Sequence, residues 1–127
     1  MSAKIKVINK SKSTLPSVDF DLIAKEILGN KYELNIIFIE DDEMEKLNLI
    51  YRNKKCTTDI LSFPISETVG EIYISPKESR MQMKKFEREY DNFIAFLFIH
   101  GCVHLKGYDH GGKMESIEKK VREKFGI

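Results

Sequence analysis

Lysine alternates with isoleucine and valine from Lys4 to Asn9, the period-two pattern of an edge strand with one buried face. Ser17 then stands where it can cap a helix carrying Phe20, Ile23, Ile27 and Leu28, and Gly29-Asn30 supplies a stop. Glu33–Glu40 is too continuously apolar for a half-exposed strand and reads as a central one. Asp42 with Glu45 three residues later resembles a capping box, and Met44, Leu47, Ile50 and Tyr51 mark the face of the helix that follows. The acidic run Glu40–Glu43 is accordingly a helix N-terminus rather than a second metal site, because carboxylates are favoured at the positive end of the helix dipole.

Ile60–Phe63 forms a short strand closed by Pro64, and Gly70–Ser75 another with Ile72 and Ile74 on one face. Ser75-Pro76-Lys77-Glu78 is a helix start, with a capping serine, proline at the first helical position and glutamate three residues after the cap. Helical spacing continues to Leu105, with Met81, Phe86, Tyr90, Phe93, Leu97, Gly101 and His104 near one stripe and a break expected near Tyr90-Asp91-Asn92. A last helix is expected from about Lys113 to Lys124. The sum is an α+β fold of roughly four strands and three or four helices. No repeat or linker divides the chain, so one domain over residues 1–127 is expected.

A chain of 127 residues with 42% apolar and 32% charged residues has the composition of an ordinary globular protein. Its net charge of +1 removes any whole-molecule attraction to nucleic acid, so such a role must come from local patches. Lys4, Lys6, Lys10 and Lys12, then Lys54 and Lys55, then Lys84, Lys85 and Arg88, and finally Lys119, Lys120, Arg122 and Lys124 are the clusters available, each of which also reads as a solvated face. The longest apolar run, Phe93–Ile99, is far short of the ~20 residues of a membrane span, and the N-terminus has no signal-like segment. With Cys56 and Cys102 read as reduced thiols, the expected location is the cytoplasm, away from any membrane.

All three histidines fall between His100 and His110. On a helix, His104 lies ~40° round from His100 and ~6 Å along the axis, so both imidazoles can reach one ion. A continuing helix would carry His110 ~15 Å from His100 and off that face, so the helix must end first. Gly107 supplies the ending, since glycine takes the left-handed terminating conformation without penalty. Three histidines leave one tetrahedral position for water, the pattern of a catalytic zinc site, in which the ion lowers the water pKa to about 7. The expected cofactor is therefore one Zn2+ ion, although imidazole sites also accept nickel, copper or iron.

The spacing H-x-x-x-H-x-x-G-x-x-H is shared with metzincin proteases, whose general-base glutamate follows the first histidine. Here that position is Gly101, so a peptidase mechanism lacks its proton shuttle. A glycine inside a helix costs about 1 kcal/mol relative to alanine and implies that the backbone lies close to a packed neighbour or a substrate.

His100-Gly101, His104-Leu105 and Gly107-Tyr108-Asp109-His110 together resemble the signature of the YbeY family, bacterial metal-dependent endoribonucleases that mature ribosomal RNA. The resemblance extends to Tyr51-Arg52, to Thr58-Asp59-Ile60-Leu61-Ser62-Phe63-Pro64 and to Gly70-Glu71-Ile72-Tyr73-Ile74, with Val103 and Glu71 standing where leucine and aspartate are usual. It implies a mixed four-stranded sheet flanked by helices and a metal site on a helix and the loop after it. It also implies His100, His104 and His110 as zinc ligands and Arg52 lining the active-site cleft. Single-stranded ribosomal RNA is the implied substrate and the ribosome or its proteins the implied partners, in small-subunit (16S) RNA 3′-end processing and ribosome quality control; DNA is not expected. An arginine suits phosphodiester hydrolysis because its fork can hold phosphate oxygens and stabilise developing charge.

The remaining residues keep two readings each. Asp109 either orients His110 or relays a proton, or simply occupies a turn. Tyr108 reads as packing. Cys102, on the helix face opposite the histidines, reads as core, whereas Cys56 could reach the metal. Nothing makes Ser62 a nucleophile. A metal-stabilised, non-catalytic ribosome-assembly factor is the alternative from another functional class, and a metzincin-like peptidase the third.

Overall fold

The computed structural model describes residues 4–108 and 111–127. Strands β1 (Lys4–Asn9), β2 (Glu33–Phe38), β3 (Ile60–Ser66) and β4 (Val69–Ile74) form one sheet in the order β1-β2-β4-β3. β2 pairs in parallel with both β1 and β4, and β3 adds antiparallel to β4 at the edge, so the sheet is mixed. The apolar run of β2 is explained by its position between two neighbours; β1 lies at an edge as expected, but without the expected buried face, since only Ile5 is half-buried and Val7 and Ile8 are exposed. β3 continues past Pro64 to Ser66 instead of closing there, with a register shift between Pro64 and Ser66. An edge strand tolerates proline because it needs no outward donor.

Side chains of the sheet alternate between two layers. Ile36, Phe38, Ile72 and Ile74 face the helices α1 (Phe20–Leu28), α4 (Tyr90–Leu105) and α5 (Gly112–Phe125). Ile37, Ile39 and Leu61 meet Met44 of α2 (Asp41–Arg52) on the other face. α4 lies against β3, α1 and α5, which is why its Phe93–Ile99 run is apolar all round. Phe93, Ile94, Phe98 and Ile99 are fully buried, each worth about 1.5–3 kcal/mol.

Helix starts refine the sequence reading. Ser17 does not cap α1; Asp19 does, its carboxylate accepting from Leu22 N, because Ser17 lies two residues too early for its side chain to reach that turn. Asp42 does not head a capping box either. α2 begins at Asp41 after Glu40, whose carboxylate instead accepts from Lys12 N, and Asp41, Asp42 and Glu43 occupy its first turn as the dipole favours. Ser75 caps α3 (Pro76–Gln82) through Glu78 N as expected. The break before α4 comes earlier than Tyr90: a 3-10 turn, Met83–Phe86, ends at Glu87 in the left-handed conformation (φ 53°), and α4 starts afresh at Tyr90. Among the described residues, no helix is long and apolar enough to cross a membrane.

Candidate metal centre

His100 and His104 sit one turn apart on α4, as the helical spacing requires. The helix stops at Leu105; Gly107 follows with φ 108°, and its N–H donates to His104 O at 3.0 Å. That left-handed glycine caps the orphan carbonyls of the last turn and turns the chain. His110 and Asp109 lie outside the described residues, so the third predicted ligand and its neighbour are not placed here.

Each of the two placed imidazoles is oriented through Nδ1. His100 Nδ1 lies 2.9 Å from Oε1 of Glu118, a carboxylate on α5 that is only 7% exposed. His104 Nδ1 lies 3.2 Å from the carbonyl oxygen of Tyr108, within the segment that Gly107 turns. An acceptor on Nδ1 calls for the proton there and leaves Nε2 with its lone pair, the tautomer that ligates a divalent metal. Two such imidazoles suit a divalent ion by their chemistry; among the described residues no group of three His, Cys, Asp or Glu side chains is placed to hold one.

Gly101 explains how α4 reaches this position. A Cβ at Gly101 would stand 2.9 Å from Ser62 Oγ, 3.0 Å from Ile60 Cδ1 and 3.2 Å from Ile72 Cδ1, so the glycine lets the helix settle directly on β3 and β4. The close neighbour is therefore the sheet. The position that carries the glutamate in a metzincin points here into packed side chains.

Asp59, at the entry to β3, also belongs to these surroundings. Burial pushes its carboxyl above the usual carboxylate range; its own backbone amide and that of Ile60 pull it back, Glu78 raises it and His100 lowers it. Arg52 is the last residue of α2, exposed, in the layer across the sheet from His100 and His104. Helix α4 sets the two histidines one turn apart, and the described contacts do not join Arg52 to them. Cys102 is fully buried and its thiol is pushed well up by burial, in keeping with a core role. Cys56 is exposed, with Asn48 Nδ2 3.7 Å from its sulfur and 2.7 Å from its carbonyl oxygen. Tyr108 packs against the main core, and the Lys113 ammonium lies 5.5 Å from its ring centre. Glu118 and Asp59 are the residues that sequence reasoning did not select. Glu118 had a signal: it falls four residues after Met114 and three before Val121, on the face of α5 that is buried.

The family description Endoribonuclease YbeY matches residues 3–126. The chain belongs to the YbeY family. The endoribonuclease YbeY of Thermotoga neapolitana is 34% identical over 119 residues, covering 91% of this chain and 76% of the relative. That of Acholeplasma laidlawii is 32% identical over 113 residues, covering 86% and 82%. The solution structure of TM1509 from Thermotoga maritima superposes with a TM-score of 0.69 at 27% identity, covering 96% of this chain and 89% of that one. The YbeY match spans the described frame from β1 to α5, so the family and the fold stand on the same residues.

Proposed function

We propose that this YbeY-family chain is a metal-dependent endoribonuclease that hydrolyses single-stranded RNA in ribosomal RNA maturation. In this reading His100, His104 and His110 hold one divalent ion, with zinc as the expected metal. Its place is the cytoplasm, and its partners are 16S RNA, through 3′-end processing, and the ribosome, through quality control. The observation that carries the reading is the pair of adjacent imidazoles with both Nδ1 atoms engaged, one by a buried carboxylate and one by a backbone carbonyl. The chemistry that a divalent ion brings to such a site is Lewis acidity toward a phosphoryl oxygen and a water acidified toward neutral pH. The chain's own residues do the rest: Glu118 and the Tyr108 carbonyl fix the imidazoles, and Arg52 steadies the phosphate. The packing of Gly101 on the sheet favours phosphodiester over peptide hydrolysis, since that position offers no room for a proton-shuttling carboxylate.

Cleavage of an unstructured RNA by the zinc-loaded protein tests the reading. Cutting should stop on chelation and return with zinc, and a metal-site variant purified in parallel should stay silent. A rate indifferent to chelation would mean a contaminating nuclease. A protein that holds its metal and never cuts would instead be the assembly factor.

Glu118→Gln should weaken zinc binding by about 10–100-fold, the usual cost of losing a carboxylate behind a ligating histidine. The readout is competition with a chromophoric chelator, accompanied by thermal unfolding. Glutamine keeps the size and an acceptor oxygen, so the fold should hold while affinity falls. Unchanged zinc affinity would exclude His100 Nδ1–Glu118 as an outer-shell pair.

A further inference from the structure

α5 carries Lys119, Lys120, Arg122 and Lys124 along its solvent side, and the structure separates them. Lys124 is taken by Glu26 of α1 at 2.5 Å. Lys119 and Arg122 instead line a cavity of about 430 Å3 between α4 and α5, together with Phe96, His100 and Glu118. Glu115 lines it as well, so its boundary carries the candidate metal ligand, two cationic side chains and two carboxylates, of which Glu118 is engaged by His100.

Phe96 organises the cationic end. The Arg122 guanidinium carbon lies 5.4 Å from the centre of its ring and that of Arg88 4.5 Å from the same centre. Arg88, held by Asn92 Oδ1 and the Ile127 carbonyl, is pushed below its ordinary pKa by burial and then by the charge of Arg122. Arg88 is thus engaged by two oxygens, one of them on Ile127, the last residue of the sequence, whereas among the described residues Arg122 has no ion pair. The two like charges on one ring repel, and an anion placed at Arg122 offsets that repulsion. A guanidinium fork matches phosphate oxygens in particular. Phe96 precedes His100 by one turn of α4, so the residue whose ring the guanidinium rests on and the one that carries the imidazole are ~6 Å apart along the axis, the scale of neighbouring phosphates in one strand.

We propose that Arg122, with Arg88 beside it on Phe96 and Lys119 at the cavity edge, binds an RNA backbone phosphate adjacent to the one cut at the histidines. The proposal rests on the endoribonuclease reading and names a substrate contact within it.

Single-turnover cleavage of a ten-nucleotide unstructured RNA by the zinc-loaded protein, across a salt series, tests it. Arg122→Gln should raise the half-saturating protein concentration about five- to tenfold, with the effect falling there and not on the maximal rate. The slope of log affinity against log salt should shrink by about 0.7, the value for one phosphate contact on a single strand. Arg122→Lys should recover most of the slope because it restores the charge. A dinucleotide, too short to span both sites, should not distinguish Arg122→Gln from wild type. Inorganic phosphate should compete with the longer RNA in the wild type and less in Arg122→Gln. Equal affinity and slope in wild type and Arg122→Gln, with wild type cutting, would overturn the proposal and leave the endoribonuclease reading standing. A drop in thermal midpoint with the salt slope unchanged would also overturn it, since Arg122 would then only pack on Phe96. A wild-type protein that neither binds nor cuts RNA removes the endoribonuclease reading, and this contact with it.

Discussion

His104→Ala is expected to lose RNA cleavage by about a thousandfold or more, because Lewis-acid stabilisation of the transition state is worth several kcal/mol and each 1.36 kcal/mol is tenfold in rate. His104 is the ligand to replace first for a structural reason. It is exposed on the last turn of α4, and its described hydrogen bond is to a backbone carbonyl, so alanine there opens no cavity. A surface change of that kind leaves stability within about 0.5 kcal/mol. His100→Ala would confuse two effects, since it strips the partner from Glu118, a carboxylate with only 7% exposure, and a buried uncompensated charge is costly in itself. The measurement is the first-order rate of cleavage of an unstructured RNA, with zinc content and thermal midpoint determined on the same preparation. Loss of zinc and of cutting at an unchanged midpoint is the expected result. Wild-type cutting by a variant that has lost its zinc would sink the metal-centred mechanism, and wild-type zinc content would remove His104 from the ligand set.

The elements of this fold were legible where one residue's environment is set by its own neighbours in sequence. The alternation of Lys4–Asn9 encodes an edge strand, though not the buried face it suggests, the unbroken apolar run of β2 encodes a central one, and Ser75-Pro76 encodes a helix start, because period and capping are local properties. Reading failed where a choice depended on which group arrived first from elsewhere. Ser17 and Asp19 are both good caps, and only the position of the first helical residue decides between them. Asp42 and Glu45 match a capping box by spacing, but α2 already begins at Asp41, so Asp42 lies inside the first turn. The chain breaks at Glu87 because that residue adopts φ 53°, an uncommon conformation for anything but glycine, asparagine or aspartate.

The same division runs through the candidate site. His100, His104 and Gly107 could be placed from helix geometry alone, since the spacing of two ligands and the need for a stop are both properties of one segment. Glu118 belongs to a helix that follows the histidines and meets His100 only through packing of α5 on α4. It is one of 20 acidic residues, so charge does not mark it; only its place among Met114 and Val121 does. Gly101 shows the middle case. Its sequence cost announced a close approach, and the fold decided that the neighbour is the sheet.

Arg52→Ala is expected to lower the cleavage rate by about 10²–10³-fold with zinc content unchanged, the usual loss when one charge-stabilising donor leaves a transition state. The structure makes this a demanding prediction. Arg52 is exposed at the end of α2, and the layer it belongs to lies across the sheet from α4. β3 is an edge strand, however, the chain from Arg52 passes to its start at Ile60, and the ring centre of Tyr51, next to Arg52, lies 4.8 Å from that of Phe63 on β3. An exposed guanidinium at the end of the helix that leads into that edge can therefore act on a substrate that lies across it. Exposure also keeps the experiment clean, because removal of a surface arginine should not disturb the core. Arg52→Lys separates charge from shape: lysine retains the cation but presents a point charge instead of a fork, so it should recover part of the rate and less than the full amount. If alanine and lysine variants both cut like wild type while His104→Ala is silent, hydrolysis at the metal site stands and Arg52 lies outside it. If Arg52→Ala is silent and its zinc is retained, the substrate must bridge the β3 edge, and the phosphate sits between the two layers of the fold.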